Sequence, residues 1–305
     1  MANVWIYSED AAAAKELVTA AKTLGSEVNA IAISEEVANE VAKTGINKVI
    51  YLKAAAKWSE AYGKEIANVL KAEGAQVVLT AATPKGKAVA AQVSAIVGAA
   101  LATETVKLAL DGEQLQIERF IYGGLAVSHE SLAFPAFATV PLRTFEAAAE
   151  AGSTTIETKD VDIADSVTVV SVEAANQGGV DLNKADKVVS LGRGVEGEEG
   201  LAAIKELASA VGAEVGCTRP VAEESKLLPI ERYIGISGKN LKGSLYVGVG
   251  ASGQVQHVAG IRDVKTVVAI NSDENAPIFA AADYGIVGNY KEVIPALVTA
   301  INAAK

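Results

Sequence analysis

Between Leu245 and Asn289 the chain reads LYVGVGASGQVQHVAGIRDVKTVVAINSDENAPIFAAADYGIVGN. Three short apolar runs in this stretch each end in Gly, Ser, Asn or Gln, the arrangement that gathers polar groups at the carboxyl edge of a parallel sheet. His257, the second of two histidines, lies within it. The pattern G-x-G-x-x-G occurs twice, as Gly192-Gly194-Gly197 and as Gly248-Gly250-Gly253, each time after an apolar run and ahead of an expected helix. Glycine lets the backbone approach a ligand closely, and a helix N-terminus offers unpaired N–H donors. The chemistry such turns perform is phosphate binding.

A dinucleotide fingerprint also requires an acidic residue at the end of the next strand, for the ribose hydroxyls. After the first loop AEVGCTR ends in Arg219, and after the second TVVAIN ends in Asn271 with Asp273 beyond. Neither is a standard NAD arrangement. For Gly192–Gly197 taken alone, tight strand-to-helix turns account for the glycines equally well. At Gly248–Gly253 the neighbours Ser252, Gln254, Gln256 and His257 favour a ligand. Two phosphate-type loops in one small domain point to a long ligand containing a pyrophosphate.

Other chemistry-bearing residues read more plainly. His129 has no suggestive company and is expected at the surface or in packing. Cys217 is close to Arg219, but a lone cysteine cannot form a local dithiol and reads as a small buried residue. Arg219 by itself is as readily a structural ion-pair partner. Trp5 and Trp58 are expected to pack, and Lys85 and Lys87 to be a solvated helix start.

The elements that must position these residues alternate through the first half. NVWIYSE, EVNAIAI, KVIYL and QVVLTA are strand-like; AAAAKELVTAAKTLG (with Gly25 as C-cap), SEEVANEVAKTG, SEAYGKEIANVLKAEG and TPKGKAVAAQVSAIVGA are helix-like. Such alternation means βαβ units and a parallel sheet. The texture then changes: TVKLALDGEQLQIERFIYGGLAVSHES alternates around Asp111-Gly112, a hairpin signal. FPAFATVPLRTFEAA and VTVVSVEAA add strand material, so the sheet is expected to close with antiparallel pieces. AANQGGVDLNKA reads as a linker, with a boundary near Gly179 separating domains 1–179 and 180–305. Beyond it KVVSL, AEVGCTR, RYIGIS, SLYVGVG, TVVAIN and YGIVGN form a second strand series, closed by the helix YKEVIPALVTAINAAK.

Composition narrows the function classes. At 305 residues, half of them hydrophobic, the chain can hold two domains with sizeable cores. A formal net charge of −10, spread along the chain, argues against a nucleic-acid footprint and against docking on an anionic membrane. No uninterrupted apolar run reaches the roughly 18–20 residues of a membrane span. MANVWIYSED lacks a secretory signal pattern and reads as a first strand. One cysteine excludes an internal disulfide framework and fits a cytoplasmic location; with two distant histidines, a metal site is not expected.

The run from Ser244 to Asn289 resembles the signature of the alpha subunit of electron-transfer flavoproteins. Its Ser-Gly-x-x-Gln-His-x-x-Gly stands here as Ser252-Gly253-Gln254-Val255-Gln256-His257-Val258-Ala259-Gly260, followed by Val268-Ala269-Ile270-Asn271, Ala276-Pro277-Ile278-Phe279 and Ala282-Asp283-Tyr284-Gly285-Ile286-Val287. Val188–Gly194 (VVSLGRG), Cys217–Glu223 (CTRPVAE) and Glu231–Lys239 (ERYIGISGK) look like that subunit's other FAD loops. The first domain matches more loosely, through VWIYSE, PKGK and FIYGGLAVSHES, and looks most like the subgroup associated with carnitine metabolism and nitrogen fixation.

The resemblance implies an α/β protein of two domains: an N-terminal Rossmann-like parallel sheet with added antiparallel strands, and a C-terminal parallel-sheet domain holding FAD. It implies Arg219 stacked against the flavin ring, Ser237 hydrogen-bonded near flavin N5, and His257 donating near flavin O2. Gln256 and Ser252 would contact the ribityl or pyrophosphate portion, Arg193 would neutralise pyrophosphate charge, and Asn271 and Asn289 would bind toward the ribose and adenine. Thr218, Ile236, Gly250, Gly253, Gln254 and Asp283 complete the implied cofactor-binding set, with no catalytic residue among them. Two positions depart from the family: Asn289 stands where most members have Asp, and Ser272 where a Lys is usual, which removes a phosphate charge.

The leading functional expectation is an electron carrier, the alpha chain of an FAD-containing heterodimer with an electron-transfer flavoprotein beta subunit. It would take electrons from dehydrogenases, of the acyl-CoA type for example, and pass them to a quinone oxidoreductase or another reductase, with bifurcation open. No acid–base pair or activated nucleophile is evident, which fits transfer without bond making. A self-sufficient NADP- or FAD-dependent oxidoreductase, with Arg219 reading a phosphate, would instead need a substrate pocket with catalytic groups. A nucleotide-binding regulatory module would bind ATP or AMP and no flavin, but the first domain lacks a Walker P-loop.

Overall fold

The structure, a computed structural model, describes residues 2–25, 27–55, 58–163, 167–171 and 181–305. Two compact units meet in sequence at Val172 and Glu173. The expected boundary near Gly179 lies outside the described residues.

The first unit runs β1 (Asn3–Tyr7), α1 (Ala11–Thr23), β2 (Glu27–Ala32), α2 (Glu35–Ala42), β3 (Lys48–Lys53), α3 (Gly63–Ala72), β4 (Val77–Ala81) and α4 (Pro84–Val97). It continues with β5 (Ala100–Ala102), β6 (Thr105–Asp111), β7 (Gln114–Ile121), β8 (Ala126–Ala133), β9 (Ala136–Val140) and β10 (Ile156–Asp160). Local chemistry starts the helices: Asp10, Ser34 and Thr83 accept from Ala13 N–H, Val37 N–H and Gly86 N–H, and Pro84 occupies the first turn of α4. Gly25, at φ +64°, ends α1 as expected.

The large sheet has the order β10-β3-β2-β1-β4-β9-β5 and every pair in it is parallel. Alternate residues of β1 enter different cores. Val4 and Ile6 pack with α1 and α2, Trp5 and Tyr7 with α3 and α4. Burial on both faces is why β4 and β9 are buried at every position and, Thr80 and Thr139 apart, apolar throughout rather than alternating.

Contrary to the sequence reading, the antiparallel strands do not close this sheet; they form a separate one, β6-β7-β8, whose first hairpin turns at Gly112. FPAFATV supplies β9, a parallel strand. Val167–Ser171 of VTVVSVEAA form no strand, and its remaining residues lie outside the described ones. The strand actually added is β10, IETKD, which pairs with β3 through Ile156 and Val49.

The second unit runs β11 (Lys187–Leu191), α5 (Gly197–Val211), β12 (Glu214–Cys217), β13 (Leu245–Val249), the single turn α6 (Val255–Val258), β14 (Val267–Asn271), β15 (Tyr284–Val287) and α7 (Tyr290–Ala303). Its sheet is parallel throughout, in the order β12-β11-β13-β14-β15. Chain direction across the sheet therefore reverses between β11 and β13, which is where a doubly wound sheet opens a crevice at its carboxyl edge. One face is covered by α5 and α7, through Leu201, Ile204, Leu207, Ile294 and Val298 against Val189, Leu191, Val247 and Val249. The other face is covered by loops and α6, with Ile234, Leu241, Ile261 and Ile278 packed around Val188, Tyr246 and Ala269.

RYIGIS is not a strand, contrary to the sequence reading. A 3₁₀ turn at Ile230–Arg232 precedes it, and it touches the sheet at one bridge, Cys217 to Tyr233. Gly235, at φ +146°, then turns the chain back: Gly235 N–H donates to Lys239 O and Lys239 N–H to Tyr233 O, so the segment pairs with itself.

Candidate cofactor-binding site

Both glycine loops lie at the reversal between β11 and β13 and pack against each other. Gly194 N–H donates to Gly250 O at 3.0 Å, and a Cβ on Gly192 would run into the Gly250 carbonyl and the Ala251 backbone. The glycines thus have a structural duty first: they let two turns interlock. What the interlocked turns leave open is a cleft along the carboxyl edge.

Its larger part encloses about 730 Å³. It is lined by Arg193 and Gly250 from the two glycine loops, by Thr218 and Arg219 just past the end of β12, by Ile236 and Ser237, and by Ser252, Gly253, Gln254, Gln256 and His257. A smaller part of about 280 Å³ shares Gly194, Gly250 and Asn271 with the first and reaches Asn289 at the start of α7.

Asp283 stands apart from the other expected site residues. Its Oδ2 accepts from Val267 N–H at 2.8 Å, and its own N–H donates to Val267 O, so it clamps the amino ends of β14 and β15. That is the edge opposite the cleft, where a carboxylate secures strand starts.

Several side chains in the cleft already have partners. Asn271 donates from Nδ2 to Ala251 O at 2.9 Å and accepts Asp273 N–H on Oδ1, stapling β14 to the loop after β13. Asn289 accepts Lys291 N–H at 3.0 Å and so caps α7. Arg219 pairs through Nε with Glu223 Oε2 at 2.8 Å; that carboxylate pushes the guanidinium pKa further up, so its positive charge is permanent. Thr218 Oγ1 is buried with no hydrogen-bond partner. His257 is 7% exposed, with Nε2 at 2.6 Å from the Tyr246 hydroxyl and Nδ1 at 3.1 Å from the Ile234 carbonyl. Burial lowers its pKa, so the ring is neutral at pH 7.

Sequence reasoning missed two residues here: Glu196 and Lys291 line the smaller part of the cleft, together with Ser272, already noted as a departure from the family. Lys291 follows the cap residue Asn289, and Glu196 sits inside the first glycine motif; both positions are signals of the carboxyl edge. Cys217 is buried, and desolvation pushes its thiol up to about 12. His129 is on β8, exposed, 3.5 Å from Glu118. Among the described residues no cluster of His, Cys, Asp or Glu is arranged to hold a metal ion, and no helix is long and apolar enough to cross a membrane.

Residues 4–166 match the electron transfer flavoprotein domain, and residues 181–262 match the electron transfer flavoprotein FAD-binding domain. The chain belongs to the electron-transfer flavoprotein family, as an alpha subunit. Aligned over 306 residues it is 37% identical to Protein FixB of Escherichia coli O157:H7, covering 98% of both chains. Identity and coverage are the same for Protein FixB of Shigella flexneri. It therefore stands with the FixB-type alpha subunits, and most residues lining the larger part of the cleft fall within the matched FAD-binding domain.

The residues present suit FAD. The ligand is long with an anionic middle, and the cleft is in two parts that share lining residues, with the cations Arg193 and Arg219 in the larger and Lys291 in the smaller. The interlocked turns bring backbone, not side chains, to its centre, and the buried Thr218 hydroxyl is a polar atom still to be satisfied.

Proposed function

We propose that this alpha subunit works as half of a heterodimer with a beta subunit, carrying electrons between a dehydrogenase and a quinone oxidoreductase or another reductase. An acyl-CoA-type dehydrogenase, as in fatty acid β-oxidation, is the donor class the reading favours, with a cytoplasmic location inferred from the lone cysteine. FAD when bound supplies the electron chemistry. The chain's own residues bind and orient it: Arg193 and Lys291 offset phosphate charge, Arg219 and Ser237 flank the ring end, and Asn271 and Asn289 shape the adenosine end.

The observation that carries this reading is the long two-part cleft at the carboxyl edge of the second sheet, with Arg193 and Arg219 in its larger part and Lys291 in its smaller part. Its histidine, His257, is buried with both ring nitrogens beside protein partners, and Arg219 is permanently charged, so neither is placed as the general acid or base that substrate turnover needs. A cleft of that kind suits a long anionic cofactor and favours electron transfer without bond making.

The test is a coupled assay on the complex of this chain with an electron-transfer flavoprotein beta subunit. Flavin absorbance is expected to bleach with catalytic amounts of an acyl-CoA dehydrogenase and its substrate, and to return on adding a quinone reductase. Turnover of NADPH with small substrates by this chain alone would replace the carrier with a self-sufficient oxidoreductase.

A further inference from the structure

The two parts of the cleft are built on different faces of the second sheet. The larger part takes residues from the segment 233–237 and from α6, which cover the face away from α5 and α7. The smaller part takes Glu196, at the N-cap of α5, and Tyr290 and Lys291, in the first turn of α7. Those two helices pack on the opposite face. Gly194, Gly250 and Asn271 line both parts, so a ligand filling the cleft passes across the sheet edge at the interlocked turns.

The smaller part is polar, but most of its side-chain groups are already engaged or can only donate. Asn271 donates from Nδ2 to Ala251 O and accepts Asp273 N–H on Oδ1, and Asn289 accepts Lys291 N–H on Oδ1. The Lys291 ammonium has no acceptor capacity. Glu196 differs. It occupies an N-cap, where a short Ser or Asp side chain bonds back to the helix, yet its carboxylate makes no such bond. Among the described residues neither of its oxygens has a hydrogen-bond or ion-pair partner, and no other carboxylate lines this part of the cleft.

A ribose presents two neighbouring hydroxyls, and a carboxylate has the oxygens to accept both. Dinucleotide folds place an acidic residue for this purpose at the end of the next strand, where this chain has Arg219 and Asn271. We propose that Glu196 selects the adenosine end of FAD, its carboxylate accepting the ribose hydroxyls from the N-cap of α5. The inference rests on the FAD reading of the cleft and deepens it by naming the group that recognises the sugar. A carboxylate repels phosphate, so the neighbour it suits is the uncharged sugar. Lys291, in the same part, balances its charge.

The test is reconstitution of the deflavinated complex with an electron-transfer flavoprotein beta subunit, followed by flavin fluorescence. The two probes are FAD and an FAD whose adenosine ribose lacks both hydroxyls. Native protein is expected to bind FAD roughly ten- to a hundredfold more tightly than the dideoxy form. Glu196→Ala is expected to bind the two forms alike, with an unchanged melting temperature, because the exposed side chain makes no cap bond. Glu196→Gln, which keeps one neutral acceptor, is expected to fall between them. Equal affinities in native protein overturn the proposal, whatever the variants do. So does a preference for FAD that survives in Glu196→Ala, or an equal loss of both forms. A native complex that takes up neither form contradicts the FAD reading itself, which is a different result from two forms bound alike.

Discussion

Gly194 and Gly250, at the ends of two neighbouring parallel strands, are joined by a 3.0 Å backbone hydrogen bond and lie back to back at the point where the sheet reverses direction. The loops that carry the cofactor cleft are thus one interlocked unit. Replacing Gly192 by Ala forces a Cβ into the Gly250 carbonyl and Ala251, so the turns must separate. The expected cost is about 1–3 kcal/mol of stability, with loss of most bound FAD. Urea unfolding midpoints and the ratio of visible to ultraviolet absorbance measure the two effects.

Arg219 gives the opposite profile. It is an exposed side chain held by one exposed ion pair to Glu223, an arrangement that contributes little to folding. Arg219→Ala is expected to leave the melting temperature unchanged while weakening FAD binding and lowering the reduction potential, since a cation beside the ring favours its reduced, anionic form. Equal loss of melting temperature and affinity would make Arg219 a structural residue.

The buried histidine sets a pH dependence. The folded protein keeps His257 below its ordinary value of 6.5, because burial disfavours the charged ring. As pH falls through 6.5 the unfolded chain takes up a proton that the folded chain refuses, so stability declines, by at most about 1.4 kcal/mol per pH unit. Above 6.5 this loss is absent. Glu40, Glu118 and Glu130 are held low by neighbouring Lys or Arg, so their stabilisation is complete above 4.5 and lost only below it. The histidine window opens at higher pH than the carboxylate one. His257→Gln should flatten the slope between pH 6.5 and 5 in denaturant titrations, and leave the more acidic limb in place.

Cys217 offers a clock for opening of the second unit. Its thiol is fully buried and pushed up to about 12, so native protein at pH 8 should resist alkylation and react promptly once unfolded. Labelling followed by mass spectrometry checks this; rapid labelling of the native complex would mean that the end of β12 opens readily.

Much of the site was legible because its strands end in the residues that line the cleft. SLYVGVG and TVVAIN each deliver an apolar run and then a polar terminus, and parallel pairing does the rest. What was not legible depends on tertiary context. RYIGIS has strand composition, but Gly235 turns it back on itself, and its bonds go to Lys239 and Gln256. IETKD has little apolar periodicity and is a strand only because the edge of β3 is there to pair with it. Asp283 falls inside a recognisable motif, yet belongs to the amino edge, since one motif can span both ends of a strand connection. His257 was legible as a cleft residue; that its ring nitrogens point inward follows from Tyr246 and Ile234, which no spacing rule relates to it.

The central claim is that the second unit holds FAD in the cleft between β11 and β13. Its most direct test is the visible spectrum of this chain co-purified with its beta subunit, with the released cofactor identified by chromatography, for the native sequence and for Gly192→Ala. The account predicts flavin bands, FAD as the released cofactor, and their loss in the variant. A colourless complex that takes up no added FAD, or flavin bands of full strength in the folded variant, would contradict it.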